Sequence, residues 1–193
     1  MTLLEEAGEQ YGRIRTFCAD FQQELVVPLL GETTHSRGVL CQERPNRLSM
    51  RFSDPAGDVV VADGEFFWVY YPSADPGQVL RFTMETRPGG FDFQKEFLEG
   101  PGEKYDLEYL GLEEVEGRET YLISAIPRSP VSFSASRLWL DPESSLIVKA
   151  EILQENGSKR TVILSNLVMN PDPDPDRFRF TPPPEAQVIP RSE

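Results

Sequence analysis

The sequence predicts a mainly β protein, one large curved antiparallel sheet with an N-terminal helix and a short helical cover over an apolar cavity. Two observations predict the sheet. Apolar runs of strand length recur along most of the chain, and nearly all are separated by turn residues, so consecutive strands reverse and pair with each other. Several runs, among them Val59 to Val61 and Phe66 to Tyr71, are apolar on both faces. A sheet whose two faces are both apolar must curl and carry a helix over its opening to bury them.

The clearest strands lie between Ser36 and Pro72, SRGVLCQERPNRLSMRFSDPAGDVVVADGEFFWVYYP. Leu48, Met50 and Phe52 alternate with Ser49, Arg51 and Ser53, placing three apolar side chains on one face. Asp63-Gly64 suits the positive-φ positions of a tight hairpin between Val59–Val61 and Phe66–Tyr71. Arg44-Pro45-Asn46 interrupts pairing because proline has no N–H to give a ladder, so Arg44 belongs to a strand end or bulge.

Upstream, Leu4, Ala7, Tyr11, Ile14, Cys18, Phe21 and Leu25 recur at steps of three or four, which predicts one amphipathic helix over residues 3–26, stopped by Pro28 and Gly31. Downstream, Gln78 to Phe82 reads as a strand. Met84 to Gly102 then sets Phe91, Phe93, Phe97 and Leu98 at helical spacing between Pro88-Gly89-Gly90 and Pro101-Gly102. This is either an ordinary connection on the core or a movable apolar cover with glycine hinges. Strands resume at Asp106–Leu112, Thr120–Ile126, Ser136–Leu140, Leu146–Gln154 and Thr161–Met169, with Asn156-Gly157 a strong hairpin signal. Asn156-Gly157-Ser158 also fits a glycosylation acceptor, but the turn explains it better. The Pro-Asp run from Pro171 to Asp176 reads as an exposed loop, with Phe178 and Phe180 in a last short strand.

The 193 residues fit one domain spanning 1–193, which buries roughly 70% of its unfolded surface. With 32 acidic against 19 basic side chains the net charge is -13, an argument against nucleic acid or an anionic bilayer as direct partner. No run approaches the ~18 apolar residues of a membrane span. Cys18, placed in a helix, and Cys41, placed in a strand, are each compatible with a buried thiol or with a disulfide.

Catalytic constellations are few. The one histidine, His35, lies between Thr34 and Ser36 in an expected loop, and no nucleophile elbow, phosphate-binding glycine loop or metal-ligand spacing occurs. No cofactor, metal or enzymatic activity is expected. Excess apolar side chains on a curved sheet suit a ligand held by burial alone, worth about 0.8 kcal/mol per methylene.

The order of motifs from Gly38 onward, G-x-L-x-x-x-R-P-N, a strand ending in D-G, then F-W-x-Y-x-P and Q-V, resembles the outer-membrane lipoprotein carrier (LolA) family. Asp176 to Pro183, DRFRFTPP, is similar to that family's terminal F-x-F-x-P-P, and the likeness extends from about Ile14 to Val188. Cys41, where an aromatic is common, Arg47, where an apolar residue is usual, and a poorly matching lid segment are departures. The resemblance implies an unclosed β-barrel capped by helices, whose function is to hold lipoprotein acyl chains and carry them across the periplasm. It implies as partners an inner-membrane ABC-type lipoprotein-releasing complex and an outer-membrane acceptor. A monomer, exported with a signal peptide since removed, is the expected form.

By motif match Arg44 stands where the family's arginine bonds lid backbone and keeps the empty cavity shut. Candidate cavity walls are Leu48, Met50, Phe52, Phe67, Trp68, Tyr70, Phe82, Trp139 and Leu140; lid candidates are Phe91, Phe93, Phe97 and Leu98. The polar loop from Asp54 to Asp58 favours a carrier over the lipid-anchored acceptor. Rival expectations are a phospholipid or glycolipid carrier of this fold, a periplasmic envelope-stress sensor, and an enzyme for an apolar substrate.

Overall fold

In the computed structural model, which describes residues 3–86 and 92–191, α1 (Leu3–Tyr11) buries Leu4, Ala7 and Tyr11 along one stripe. It stops well short of the expected residue 26: Thr16–Val27 is strand β1. Phe17, Ala19 and Phe21 are buried while Asp20 and Gln22 are exposed, so apolar positions that fit a helical step also fit a period of two. Gly12 weakens any continuing helix, and Thr16, Phe17, Phe21, Val26 and Val27 favour the pleated form. Cys18 therefore sits in a strand.

The strands that follow are β2 (Glu32–Glu43), β3 (Arg47–Asp54), β4 (Ala56–Asp63), β5 (Phe66–Tyr70) and β6 (Gln78–Thr83). Next come α2 (Phe93–Leu98), α3 (Pro101–Lys104), β7 (Tyr105–Val115), β8 (Arg118–Pro127), β9 (Phe133–Leu140), β10 (Ile147–Gln154), β11 (Lys159–Met169) and β12 (Gln187–Arg191). All twelve form one sheet in the order β12-β6-β5-β4-β3-β2-β1-β11-β10-β9-β8-β7. It is mainly β and unclosed, with two edges.

Two expectations fail at the C-terminus. Phe178 ends a 3-10 turn over Pro175–Phe178 instead of starting a strand, because Pro175 presets the first turn and Asp174 accepts from the Asp176 N–H. The last strand is β12, and it pairs parallel to β6, from Gln187 opposite Gln78 to Arg191 opposite Phe82. His35, expected in a loop, is an exposed residue of β2 whose Nδ1 lies 3.8 Å from Glu24 Oε2.

The chain divides into two compact units. One comprises 1–13, 22–35 and 89–165; the other comprises 14–21, 36–88 and 166–193.

In the second unit, paired residues across the ladders show what shares each face of the sheet. Leu48 lies opposite Ala62, Met50 opposite Val60, Ala62 opposite Phe67, and Phe67 opposite Phe82. Ser49, Val61, Trp68 and Arg81 form the corresponding row on the other face. The segment after Pro175 covers that row: Arg51 Nη2 donates to the Arg177 carbonyl at 3.1 Å, and Phe180 lies 5.8 Å from both Trp68 and Tyr70. Arg81 stands 4.6 Å over the Phe66 ring. Cys18 and Cys41 form a disulfide, and Arg177 Nη1 donates to Cys41 Sγ at 2.8 Å.

A hairpin joins β4 to β5 as expected, but its loop is Gly64-Glu65, one residue further along than expected: Asp63 ends β4, Ala62 lies opposite Phe67, and only Gly64 takes a positive φ, 101°. Asp63 accepts from the N–H groups of Glu65 and Phe66 and, through Oδ2, from Trp68 Nε1 at 2.7 Å.

Candidate functional site

The aromatic segment expected to cover a cavity is helical, and within its own unit it is held firmly. Asp92 caps α2 by accepting from the Lys95 N–H, and Phe93, Phe97 and Leu98 are buried. Phe91 lies outside the described residues. Phe97 packs on Tyr105 and Phe133 at 5.2 and 5.7 Å between ring centroids, forming an aromatic cluster under the helix.

Gln94 supplies the polar fixing point. Its buried amide donates to the Ile147 carbonyl at 2.6 Å and accepts from the Ile147 N–H at 3.0 Å. These two bonds satisfy backbone groups at the start of β10, beside a register shift between Ile147 and Lys149. Glu96 adds a third tie: it accepts from the Tyr105 hydroxyl, and its carbonyl accepts from Lys104 Nζ at 2.8 Å. Burial pushes the Tyr105 phenol well above its ordinary value, and the hydrogen bond and charge of Glu96 push it further.

Helix α1 meets α2 closely. At Gly8 a Cβ would stand 2.2 Å from the Leu98 carbonyl oxygen, so only glycine permits this approach. Between α1 and strands β7 and β8 lies an apolar recess of about 200 Å³ lined by Leu3, Leu4, Leu107, Tyr109 and Ile123. A second recess of about 320 Å³ is more polar, with Glu6, Gln10, Asp141 and Ser145 beside Ala7 and Leu140. Ligand clefts usually span roughly 300–1,000 Å³, so the apolar recess accommodates one side chain or a few methylenes as it stands.

The expected wall residues separate by face. Leu48, Met50, Phe52, Phe67 and Phe82 share one face in their unit, all buried, with Phe52 edge-on to Phe21 at 5.0 Å. Trp68 and Tyr70 belong to the opposite face, against Phe180. In the other unit Leu140 shares a face with Leu138 and lines the recess under α1, whereas Trp139 faces oppositely. Its Nε1 donates to Glu113 Oε2 at 2.8 Å, and Lys149 Nζ stands 3.9 Å over its ring. Arg44 is half-buried in the turn between β2 and β3, and its N–H donates to the Arg15 carbonyl at 2.9 Å. Sequence reasoning missed Gln94, Glu96 and Tyr105. A glutamine among closely spaced phenylalanines is the one signal that could have drawn notice.

A family model described as an uncharacterized protein matches residues 48–167, well over half of the chain. The chain belongs to this LolA-like family. The outer-membrane lipoprotein carrier protein of Legionella pneumophila (strain Lens) is 27% identical over 188 residues, covering 97% of this LolA-like chain and 90% of that relative. An uncharacterized conserved protein from Thermus thermophilus superposes with a TM-score of 0.57 at 15% identity, over 96% of this chain and 99% of that one. The Pseudomonas aeruginosa MucA/MucB complex structure gives a TM-score of 0.56 at 21% identity, over 95% of this chain and 63% of that one. Both share the LolA-like fold.

Proposed function

We propose that this LolA-like protein is a periplasmic carrier that binds lipoproteins by their acyl chains and moves them from an inner-membrane ABC-type releasing complex to an outer-membrane acceptor. One observation carries this reading: the likeness to the Legionella carrier runs over nearly the whole of both chains. The physics supports it. A two- or three-chain anchor gains about 0.8 kcal/mol per buried methylene in a membrane, so a water-soluble carrier needs apolar side chains in competition and a cover that closes when it is empty.

In this reading the buried row Leu48, Met50, Phe52, Phe67 and Phe82 is acyl-binding wall in its own unit, and in the other unit Leu140 is a wall residue and α2, with Phe93, Phe97 and Leu98, a cover segment. Arg44 acts as a latch, since a guanidinium bonded to carbonyls gains roughly 1.5–3 kcal/mol, enough to hold a cover until cargo competes. The Cys18–Cys41 disulfide suits an oxidising compartment such as the periplasm. The protein works as one domain and as a monomer, without chemistry on its cargo.

The test is native mass spectrometry with lipid extraction on protein exported in a lipoprotein-producing bacterium, comparing the parent with Arg44→Leu. Bound lipoprotein, accumulating unreleased in Arg44→Leu, is the expected result. Free phospholipid or glycolipid without lipoprotein would replace this reading with a carrier of another lipid. An empty protein indifferent to the substitution would remove the latch and reopen the sensor reading.

A further inference from the structure

Strand β7 ends the sheet, and among the described residues its ladder partner is β8 alone. An unpaired edge offers a row of N–H and C=O groups to any extended chain that fits. This edge is also unusually apolar in places: Tyr109, Leu110 and Leu112 are 53%, 44% and 51% exposed. Leu110 is the extra residue of a bulge, with Tyr109 opposite Ile123 and Gly111 opposite Leu122, so regular pairing is available from Asp106 to Tyr109.

The two faces of that short stretch differ in chemistry. Leu107 and Tyr109 point into the apolar recess of about 200 Å³ completed by Leu3, Leu4 and Ile123. Asp106 and Glu108 alternate with them and point to the other face. Between Tyr105 and Glu116 the strand and its turn carry Asp106, Glu108, Glu113, Glu114 and Glu116 and no basic residue. Asp106 is paired with Arg128 at 2.9 Å and Glu113 accepts from Trp139, whereas Glu108 is in no ion pair among the described residues.

We propose that the free edge of β7 between Asp106 and Tyr109 takes an extended peptide of a partner, in which apolar and basic side chains alternate. Main-chain bonds to the edge give the pairing. An apolar side chain enters the recess, and its basic neighbours face Glu108 and Asp106 as cross-strand pairs. The same carboxylates exclude a second copy of β7, since like charges placed directly opposite repel. The edge therefore selects a basic strand and rejects its own. This surface is independent of what the protein carries.

The probe is the fluorescent peptide acetyl-KVKLKVK-amide, titrated into the full chain by anisotropy. Controls are the permuted peptide KKKKVLV, of equal composition, and a copy N-methylated at its valines, which has lost ladder donors. Saturable binding is expected, with both controls at least about tenfold weaker. Glu108→Lys, at an exposed position, should weaken the probe about fivefold or more and admit the acidic peptide EVELEVE, with an unchanged circular dichroism spectrum. Amide shifts should cluster at residues 106–109. Equal binding of the permuted peptide, indifference to Glu108→Lys in a folded protein, or no saturable binding would each overturn the proposal; shifts confined to another surface would do the same.

Discussion

The Gln94 amide and the Ile147 backbone bond each other reciprocally, with the side-chain nitrogen 2.6 Å from the carbonyl and the side-chain oxygen 3.0 Å from the N–H. This pair fixes the short helix α2 against β10. Gln94→Leu keeps the size and leaves both Ile147 groups buried and unpaired, at a cost on the order of 1–3 kcal/mol each. Urea unfolding should show that loss, and the amides of α2 should exchange faster. Undiminished protection of α2 would mean that the aromatic cluster of Phe97, Tyr105 and Phe133 holds it unaided.

Gly8 supplies a second test of the same packing. Glycine to alanine inside a helix ordinarily stabilises by roughly 1 kcal/mol. Here the new methyl would lie 2.2 Å from the Leu98 carbonyl oxygen, so α1 must move off α2. Gly8→Ala should lower the thermal midpoint. A rise would show that the two helices separate at no cost.

The Cys18–Cys41 bridge closes a separation of 23 residues. By loop-closure entropy its removal destabilises by roughly 3 kcal/mol. Cys18→Ala with Cys41→Ala should shift the denaturant midpoint as far as reductant shifts the parent. Reductant should then have no further effect on the variant.

Tyr105 links stability to alkaline pH. Its phenol is raised in the folded protein above the ordinary 10.0, first by burial and then by Glu96. The unfolded chain therefore loses this proton first. The contribution is fully present below pH 10 and falls as pH rises beyond it. Tyr105→Phe should flatten the decline in stability above pH 10 relative to the parent; an identical slope would place the Tyr105 titration at its ordinary value.

Much of the sheet was legible because its signals are local. The hairpin between β4 and β5, the alternation of Leu48, Met50 and Phe52, and the Asn156-Gly157 turn each depend on neighbours in sequence, and each appears, the first with its loop at Gly64-Glu65 instead of Asp63-Gly64. The apolar residues of α2 were likewise evident from helical spacing. Residues 14–26 were misread because the steps of four from Ile14 to Cys18 and from Phe21 to Leu25 fit a helix and a strand equally, and only pairing in a sheet chooses between them.

The sequence by itself determined a mainly β chain, its turns, its acidity and its LolA-like membership, since these follow from composition, short spacing and motif order. Tertiary structure decided what spacing cannot encode: that Cys18 meets Cys41, that Gln94 finds Ile147 across 53 residues, and that β12 joins β6 in parallel. It also decided that Trp68 and Phe67 serve opposite faces, Trp68 turned toward Phe180 and Phe67 toward Phe82. A strand's alternation fixes which residues share a face; what covers that face is set by distant segments.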